Sequence, residues 1–114
     1  MDDSPEFCAA VQRMLETAQM EVAGSASTLA DAIAQAQALR PTIALVDVDL
    51  GGESGFDVVS TLSDEVSPAP MLILTSTHPV DDFVDMVESS AALAFVPKFG
   101  LTARLLLDIL AQVD

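Results

Sequence analysis

Apolar residues follow two patterns along this chain, short continuous runs and stripes with helical spacing. The continuous runs cover residues 43–46, 71–74 and 93–96. An unbroken apolar run of this length predicts a strand that is buried on both faces of a parallel sheet. Residues 20–24 alternate weakly, and this pattern predicts a further short strand.

The second pattern, apolar residues at intervals of three and four, is typical of helices with one buried face. Ser4 is a favourable cap for the first helix, and Pro5 suits its first position. We place the helices at the following positions: about 5–18, from the Thr28 cap to Pro41, 56 to about 65, from Pro79 through Val87, and 101 to about 113.

Alternation of strands and helices with short connections predicts one α/β domain. Right-handed crossovers then give a doubly wound parallel sheet with helices on both faces. In the last helix, Leu106, Ile109, Leu110 and Val113 are expected to face the sheet. Leu101 and Leu105 lie off that stripe, and such leucines would suit an exposed interaction face.

Composition narrows the class of protein. Eighteen acidic and four basic residues give a net charge of −14, which opposes direct binding to nucleic acid or to an anionic membrane. No apolar run approaches the ~18 residues of a membrane helix, and the acidic start is unlike a signal peptide. The single cysteine excludes an internal disulfide. We expect a soluble cytoplasmic protein.

Chemistry-bearing residues follow each continuous apolar run. Asp47 ends the first run and Asp49 comes two residues later, before a glycine-rich turn. Thr75 follows the second run, and Lys98, the only lysine, follows the third. Because loops beyond the carboxyl ends of parallel strands carry the chemistry of open α/β sheets, these residues are expected to meet at one edge.

Two further acids, Asp2 and Asp3, precede the first helix and are expected at the same edge. Converging carboxylates require a cation, and oxygen ligands with an incomplete coordination shell suit Mg²⁺. A carboxylate beside a divalent ion and an ammonium can attack a phosphoryl group to form an acyl phosphate. Lys98 and the Thr75 hydroxyl would then contact the phosphoryl oxygens.

These segments together resemble the receiver domain of two-component response regulators, in the CheY-like superfamily with its flavodoxin-like fold. The residues that carry the resemblance are Asp2-Asp3, LVDVDLGGESG around Asp47, MLILTS with Thr75, and AFVPK with Phe95 and Lys98. The likeness runs from Asp2 to about Leu110. The VPK ending is similar to receivers whose usual output is a helix-turn-helix DNA-binding domain, which implies transcription regulation.

The resemblance implies a site. Asp47 would be the phosphoacceptor for a sensor histidine kinase or phosphotransfer protein. Mg²⁺ would be bound by Asp3, Asp47 and the backbone carbonyl of Asp49, with Asp2 acting indirectly. Such a domain is a signalling module whose catalysis is limited to self-catalysed phosphotransfer and autodephosphorylation, so we do not expect an enzyme.

The resemblance also implies a switch. Thr75 and Lys98 would hold the phosphoryl group, and Phe95 would rotate inward as Thr75 moves towards it. The face formed by the fourth helix, the last strand and the fifth helix would then change its affinity for an output domain or a second copy.

The sequence departs from this family in three places. The acid pair normally follows an apolar strand, the central one of five, and Met1 stands where that strand would end. We therefore expect residues 1–114 to be a receiver that is truncated at its amino terminus, with no output domain in this chain. Gly51 replaces a usual proline, and the Asp49 carboxylate is expected to alter the dephosphorylation rate.

Two other functions stay open on the sequence. A pseudo-receiver would act as a protein-interaction module without phosphorylation. A haloacid-dehalogenase-like phosphohydrolase would use Asp47-Val48-Asp49 as its DxD motif, but the further acids of that family lie downstream of the lysine. Here no acid follows Lys98 before Asp108.

Overall fold

A parallel three-stranded sheet forms the centre of the described structure. The computed structural model describes residues 1–2, 4–50, 54–77 and 84–111. Strands β1 (Ile43–Asp47), β2 (Met71–Ser76) and β3 (Ala94–Pro97) lie in the order β1-β2-β3. The three continuous apolar runs therefore form strands as predicted, within one or two residues at each end.

Helices cover both faces of this sheet, which confirms the doubly wound α/β class. They are α1 (Pro5–Thr17), α2 (Leu29–Leu39), α3 (Gly55–Glu65), α4 (Val84–Glu88) and α5 (Ala103–Ala111), with a 3₁₀ turn at Lys98–Gly100. In the described part of the chain, no helix has the length and apolar character needed to cross a membrane.

Helices α1 and α2 begin at the side-chain caps that the sequence predicted. The Ser4 hydroxyl accepts a hydrogen bond from the backbone N–H of Phe7 at 3.3 Å. Thr28 accepts one from the N–H of Asp31 at 3.2 Å. The predicted start of the fourth helix at Pro79 and the end of the fifth near residue 113 lie outside the described residues.

Side chains from alternate strand positions enter two separate cores. Val46, Leu72 and Leu74 pack against α2 and α3. Ile73 and Val96 lie on the opposite face, where the inner stripes of α1 and α5 cover them. Since successive residues of a strand point to opposite faces, each strand serves both cores.

Strand β1 is only half-buried over Ile43, Ala44 and Leu45, so the prediction of complete burial was wrong there. The physical reason is its position at the edge of the sheet. The predicted strand at 20–24 is also absent, because those residues join no ladder. A strand needs a hydrogen-bonded neighbour, and none of the described residues supplies one between this segment and β1.

Among the described residues, Met1 and Asp2 bridge β1 and the segment that precedes α2. The Met1 amine donates to the carbonyl of Leu45, and the N–H of Asp47 donates to the Met1 carbonyl at 3.0 Å. The N–H of Asp2 donates in the other direction, to the carbonyl of Ala26 at 3.1 Å. The first two residues thus hold the end of β1 in place.

Leu101 is buried at 9% exposure, which corrects its predicted position on an exposed face. The turn at Lys98–Gly100 precedes α5 and returns the chain to the sheet, so Leu101 packs with Ile73 and Val96. Leu105 is half-buried against the same core. Among the described leucines of α5, Leu107 is the exposed one, at 44%.

Replacing Leu101 by alanine tests this correction. We expect Leu101→Ala to lower the free energy of unfolding by about 2–4 kcal/mol, because it removes buried methyl groups and leaves a cavity. Leu107→Ala is the matched control and is expected to change stability by less than about 1 kcal/mol. Urea unfolding measures both, and equal effects of the two substitutions would contradict the described packing.

Candidate functional site: two carboxylates and one amine at the sheet edge

Three separate segments bring Asp2, Asp47 and Lys98 into direct contact. Lys98 Nζ lies 2.7 Å from Asp2 Oδ2 and 3.1 Å from Asp47 Oδ2. Both aspartates are only 6% exposed. The sequence predicted that these acids and the only lysine would lie together at one edge of the sheet. The structure confirms this proximity for Asp2, Asp47 and Lys98.

The parallel sheet explains this convergence. Asp47 is the last residue of β1, and Lys98 is the first residue after β3. Parallel strands place their carboxyl ends on one edge, so residues far apart in sequence arrive together. Asp2 is added from the segment before α1.

Thr75 lies directly across the ladder from Asp47, in the β1–β2 register. It is buried, and its carbonyl accepts a hydrogen bond from the N–H of Val48 at 2.9 Å. Strand β2 ends at Ser76, so Thr75 and Ser76 are its last two residues, as the sequence indicated. Phe95 is half-buried and pairs with Leu74 across the β2–β3 ladder.

Of the remaining predicted site residues, the structure describes Asp49 but not Asp3. The side chain of Asp49 is exposed, and its N–H donates to Asp47 Oδ1 at 3.2 Å. Asp3 and Gly51 lie outside the described residues. The predicted convergence is thus tested for Asp2, Asp47, Thr75 and Lys98, and not for Asp3.

Phe7 is a site residue that the sequence reasoning missed. Lys98 Nζ lies 4.2 Å from the centre of the Phe7 ring, within the range of a cation–π interaction. Apolar spacing of three and four predicts only that one face of the first helix is buried, and it gives no contact partner for Phe7. Its place in the first turn of α1, shortly after Asp2, was the available signal that it lies at the same edge.

Hydrogen bonds fix Asp2 from its other side. The N–H of Ser4 donates to Asp2 Oδ1 at 2.8 Å. Asp2 Oδ2 is buried, and the Lys98 ammonium lies 2.7 Å from it. Asp2 is therefore held from both sides, by a backbone N–H and by an ammonium.

Burial sets the electrostatics of Asp47. Desolvation raises the pKa of this carboxyl, although the Asp49 N–H and the Lys98 ammonium both favour its charged form. Burial also acts to lower the pKa of Lys98, but hydrogen bonds and charges from Asp2 and Asp47 outweigh it, and the pKa lies above its ordinary value. The amine is therefore a cation at neutral pH.

Two buried carboxylates share the ammonium of Lys98 in this small site. The described residues contain no cluster of three or more acidic, histidine or cysteine side chains that could hold a metal. The donor chemistry nevertheless suits a hard cation, because carboxylate oxygens are the ligands that Mg²⁺ prefers.

The described structure is thus a doubly wound α/β domain with a buried acid, a neighbouring hydroxyl and an amine at the carboxyl edge of its sheet. The chain belongs to the response regulator receiver domain family, whose family profile matches residues 1–109. Domains of this family are signalling modules of two-component systems.

Three relatives illustrate the similarity. A "Putative transcriptional regulator" from Pseudomonas aeruginosa is 27% identical over 107 residues, which cover 94% of this chain and 51% of that protein. The signal receiver domain of the putative response regulator NarL from Mycobacterium tuberculosis has a TM-score of 0.80 at 28% identity, covering 94% of this chain and 89% of that one. This chain thus spans about half the length of the curated relative.

A third similarity shows the fold alone. A response regulator from Burkholderia pseudomallei, solved with a phosphorylated aspartic acid, calcium ion and citrate, has a TM-score of 0.79 at 23% identity. The match covers 98% of this chain and 66% of that chain.

Gly55 allows α3 to approach the end of β1, and its replacement is the sharpest test of this geometry. A Cβ atom there would lie 2.1 Å from the Asp47 carbonyl oxygen and 2.7 Å from Val48 Cα. We expect Gly55→Ala to cost about 1–3 kcal/mol of stability, since backbone must shift. Gly100→Ala is the control, with no heavy atom within 4 Å. Equal unfolding midpoints in urea for the two variants would contradict the close approach.

Titration of Asp47 gives a second test. Because burial raises its folded-state pKa, the protonated carboxyl adds stability at low pH, and this contribution is lost as pH rises through the folded pKa. We expect the stability of Asp47→Asn, relative to the parent chain, to improve as pH rises from about 4 to 7. The exposed Asp64→Asn is the control for loss of one charge. A relative stability of Asp47→Asn that falls over this range would show that pairing with Lys98 outweighs burial.

Proposed function

We propose that this domain is a phosphoacceptor receiver that takes a phosphoryl group onto Asp47 from a sensor histidine kinase or phosphotransfer protein. The observation that carries the proposal is the placement of Lys98 Nζ 3.1 Å from Asp47 Oδ2, with Thr75 opposite Asp47 in the ladder. The phosphorylated aspartic acid in the Burkholderia pseudomallei regulator shows that such a modification occurs on a protein of this fold.

The chemistry follows from these groups. A carboxylate oxygen of Asp47 forms a bond to phosphorus while the bond from phosphorus to the donor nitrogen breaks, and the donor histidine leaves with the electron pair. The Lys98 ammonium offsets the charge of the phosphoryl oxygens, and the Thr75 hydroxyl donates a hydrogen bond to one of them. Water later hydrolyses the acyl phosphate and returns Asp47.

We further propose that Asp3, Asp47 and the backbone carbonyl of Asp49 hold Mg²⁺, with Asp2 acting indirectly. The two buried carboxylates of Asp2 and Asp47, held close together by Lys98, support this assignment, because Mg²⁺ prefers carboxylate oxygens. When bound, the ion supplies positive charge for phosphoryl transfer. Asp2 and Lys98 hold each other at the edge of the site.

The output of the switch is assigned to the face of α4, β3 and α5. Thr75 and Phe95 lie on adjacent strands and are proposed to move together on phosphorylation. The exposed apolar residues near this face are Val84, Met86, Leu93, Phe99 and Leu107. An output domain or a second copy would bind there, and the transcriptional-regulator relative supports an output in transcription.

A protein-interaction module that needs no phosphorylation is the second candidate function. The exposed apolar side chains near α4, β3 and α5 favour it, since such a surface suits a protein partner. The phosphohydrolase alternative has weaker support, since the acid that meets Lys98 precedes it in the sequence and belongs to the amino terminus.

Acetyl phosphate with Mg²⁺ separates these functions. We expect intact-mass spectrometry to show a gain of one phosphoryl group in the parent chain, complete loss of this gain in Asp47→Ala, and retention in the exposed-site control Asp64→Ala. Lys98→Ala is expected to reduce the gain strongly, because the phosphoryl charge loses its cation. A folded parent chain that gains no mass would contradict phosphorylation and favour the interaction module. Turnover of a phosphate monoester would favour the hydrolase.

A further inference from the structure

The ring of Phe7 lies against the ammonium of Lys98, the cation that joins Asp2 and Asp47 at the sheet edge. Lys98 Nζ lies 4.2 Å from the ring centre, and the lysine side chain is only 12% exposed. The two carboxylates contact the same ammonium at 2.7 Å and 3.1 Å. An aromatic face attracts a cation through its quadrupole, and this attraction grows as water is excluded. Phe7 is therefore a third partner of Lys98, and an uncharged one.

The start of α1 fixes the position of this ring relative to Asp2. The N–H of Ser4 donates to Asp2 Oδ1 at 2.8 Å, and the Ser4 hydroxyl accepts from the N–H of Phe7 at 3.3 Å. Since the side chains of a helix lean towards its amino terminus, a residue of the first turn is directed towards the segment that precedes the helix. Asp2 and Phe7 thus reach Lys98 from one short segment that is held together by hydrogen bonds.

Phe7 is also anchored in the core beneath Lys98. It is half-buried and packs against a buried cluster formed by Ile73, Val96, Leu101 and Leu106. Val96 lies in β3, two residues before Lys98, and Leu101 directly follows the turn at Lys98–Gly100. The ring therefore contacts the same part of the fold that carries the lysine. It cannot move away from the ammonium without disturbing this core.

The ring holds a cation without adding negative charge to the site. A third carboxylate would also hold Lys98, but it would repel the negatively charged phosphoryl group that is proposed to reach Asp47. Asp2 already competes for the ammonium, since it lies closer to Lys98 Nζ than Asp47 does. An aromatic partner instead keeps the ammonium in place and leaves its charge available to the phosphoryl oxygens.

We propose that Phe7 is a positioning residue for phosphoryl transfer, which holds the Lys98 ammonium beside Asp47 through a cation–π interaction. This role rests on the proposed phosphorylation of Asp47. Phe7 acts through Lys98 and does not itself contact the phosphoryl group. When the aromatic face is lost, the ammonium samples more positions, so the transfer slows although the fold is kept.

NMR tests the contact itself, without phosphorylation. Lys98 is the only lysine of the 114-residue chain, so the signals of its ε-methylene group are assigned without ambiguity. Protons above an aromatic face are shifted upfield by the ring current. We expect these signals to lie upfield in the parent chain and to return to the ordinary lysine position in Phe7→Leu. Phe56→Leu makes the same change at a half-buried phenylalanine of the other core and is expected to leave them unchanged.

The initial rate of phosphoryl gain from acetyl phosphate with Mg²⁺, followed by intact-mass spectrometry, tests the role in transfer. In this reaction a carboxylate oxygen of Asp47 bonds to phosphorus while the bond from phosphorus to the acetate oxygen breaks, and acetate leaves with the electron pair. We expect Phe7→Leu to lower the rate about three-fold or more, and Phe56→Leu to leave it unchanged.

A fluorinated series separates the aromatic face from packing. Monofluoro-, difluoro- and pentafluorophenylalanine at position 7 keep a ring of similar shape, while each further fluorine weakens the negative potential of its face. We expect the rate to fall stepwise along this series. A residue that served only to pack the core would give no such gradient.

The possible failures are distinguishable. A parent chain that gains no phosphoryl group would overturn the proposed function, and the role of Phe7 in transfer with it. A phosphorylated parent with equal rates across the fluorinated series would overturn the role of Phe7 alone, and this comparison holds even if Phe7→Leu does not fold. Ordinary ε-methylene shifts of Lys98 in the parent chain would overturn the contact on which the role depends.

Discussion

The Lys98 ammonium, shared between Asp2 and Asp47, is the interaction on which the rest of this structure depends. Two carboxylates that are both 6% exposed would repel each other without it. The cation lies 2.7 Å from one and 3.1 Å from the other, above the ring of Phe7. One side chain therefore joins the amino terminus, the end of β1 and the turn after β3.

This arrangement makes the site dependent on the sheet and the sheet dependent on the amino terminus. Asp47 reaches Lys98 because β1, β2 and β3 run parallel and end on one edge. The end of β1 is in turn held by Met1, whose amine and carbonyl bond to Leu45 and Asp47. Towards Ile43, the same edge of β1 has no strand beside it in the described structure. The best-held part of β1 is therefore its end, which carries the proposed acceptor Asp47.

Much of the fold and part of the site could be predicted from the sequence. Continuous apolar runs and helix caps are local signals, and they located the three strands and the start of α1. The meeting of Asp47 with Lys98 followed from the rule that parallel strands end together. The apolar stripe of the first helix did not predict the contact between Phe7 and Lys98. Such a stripe indicates which face of a helix is buried, but it does not indicate which residues that face contacts.

The failures share a physical cause, which is that pairing and burial are not local. Residues 20–24 have a weak strand pattern, but no described strand lies beside them to form hydrogen bonds. β1 is half-buried over its first three residues for the same reason, because it lies at the edge of the described sheet. Leu101 was assigned to an exposed stripe because the turn at Lys98–Gly100, which carries it back onto the sheet, has no periodic signature.

The most direct test of the central claim is a crystal structure of the chain with Mg²⁺ and beryllofluoride, a mimic of the phosphoryl group. The account predicts beryllofluoride on Asp47, with Lys98 Nζ within about 3 Å of a fluorine and the Thr75 hydroxyl contacting another. Lys98 or Thr75 directed away from Asp47 in that structure would contradict it.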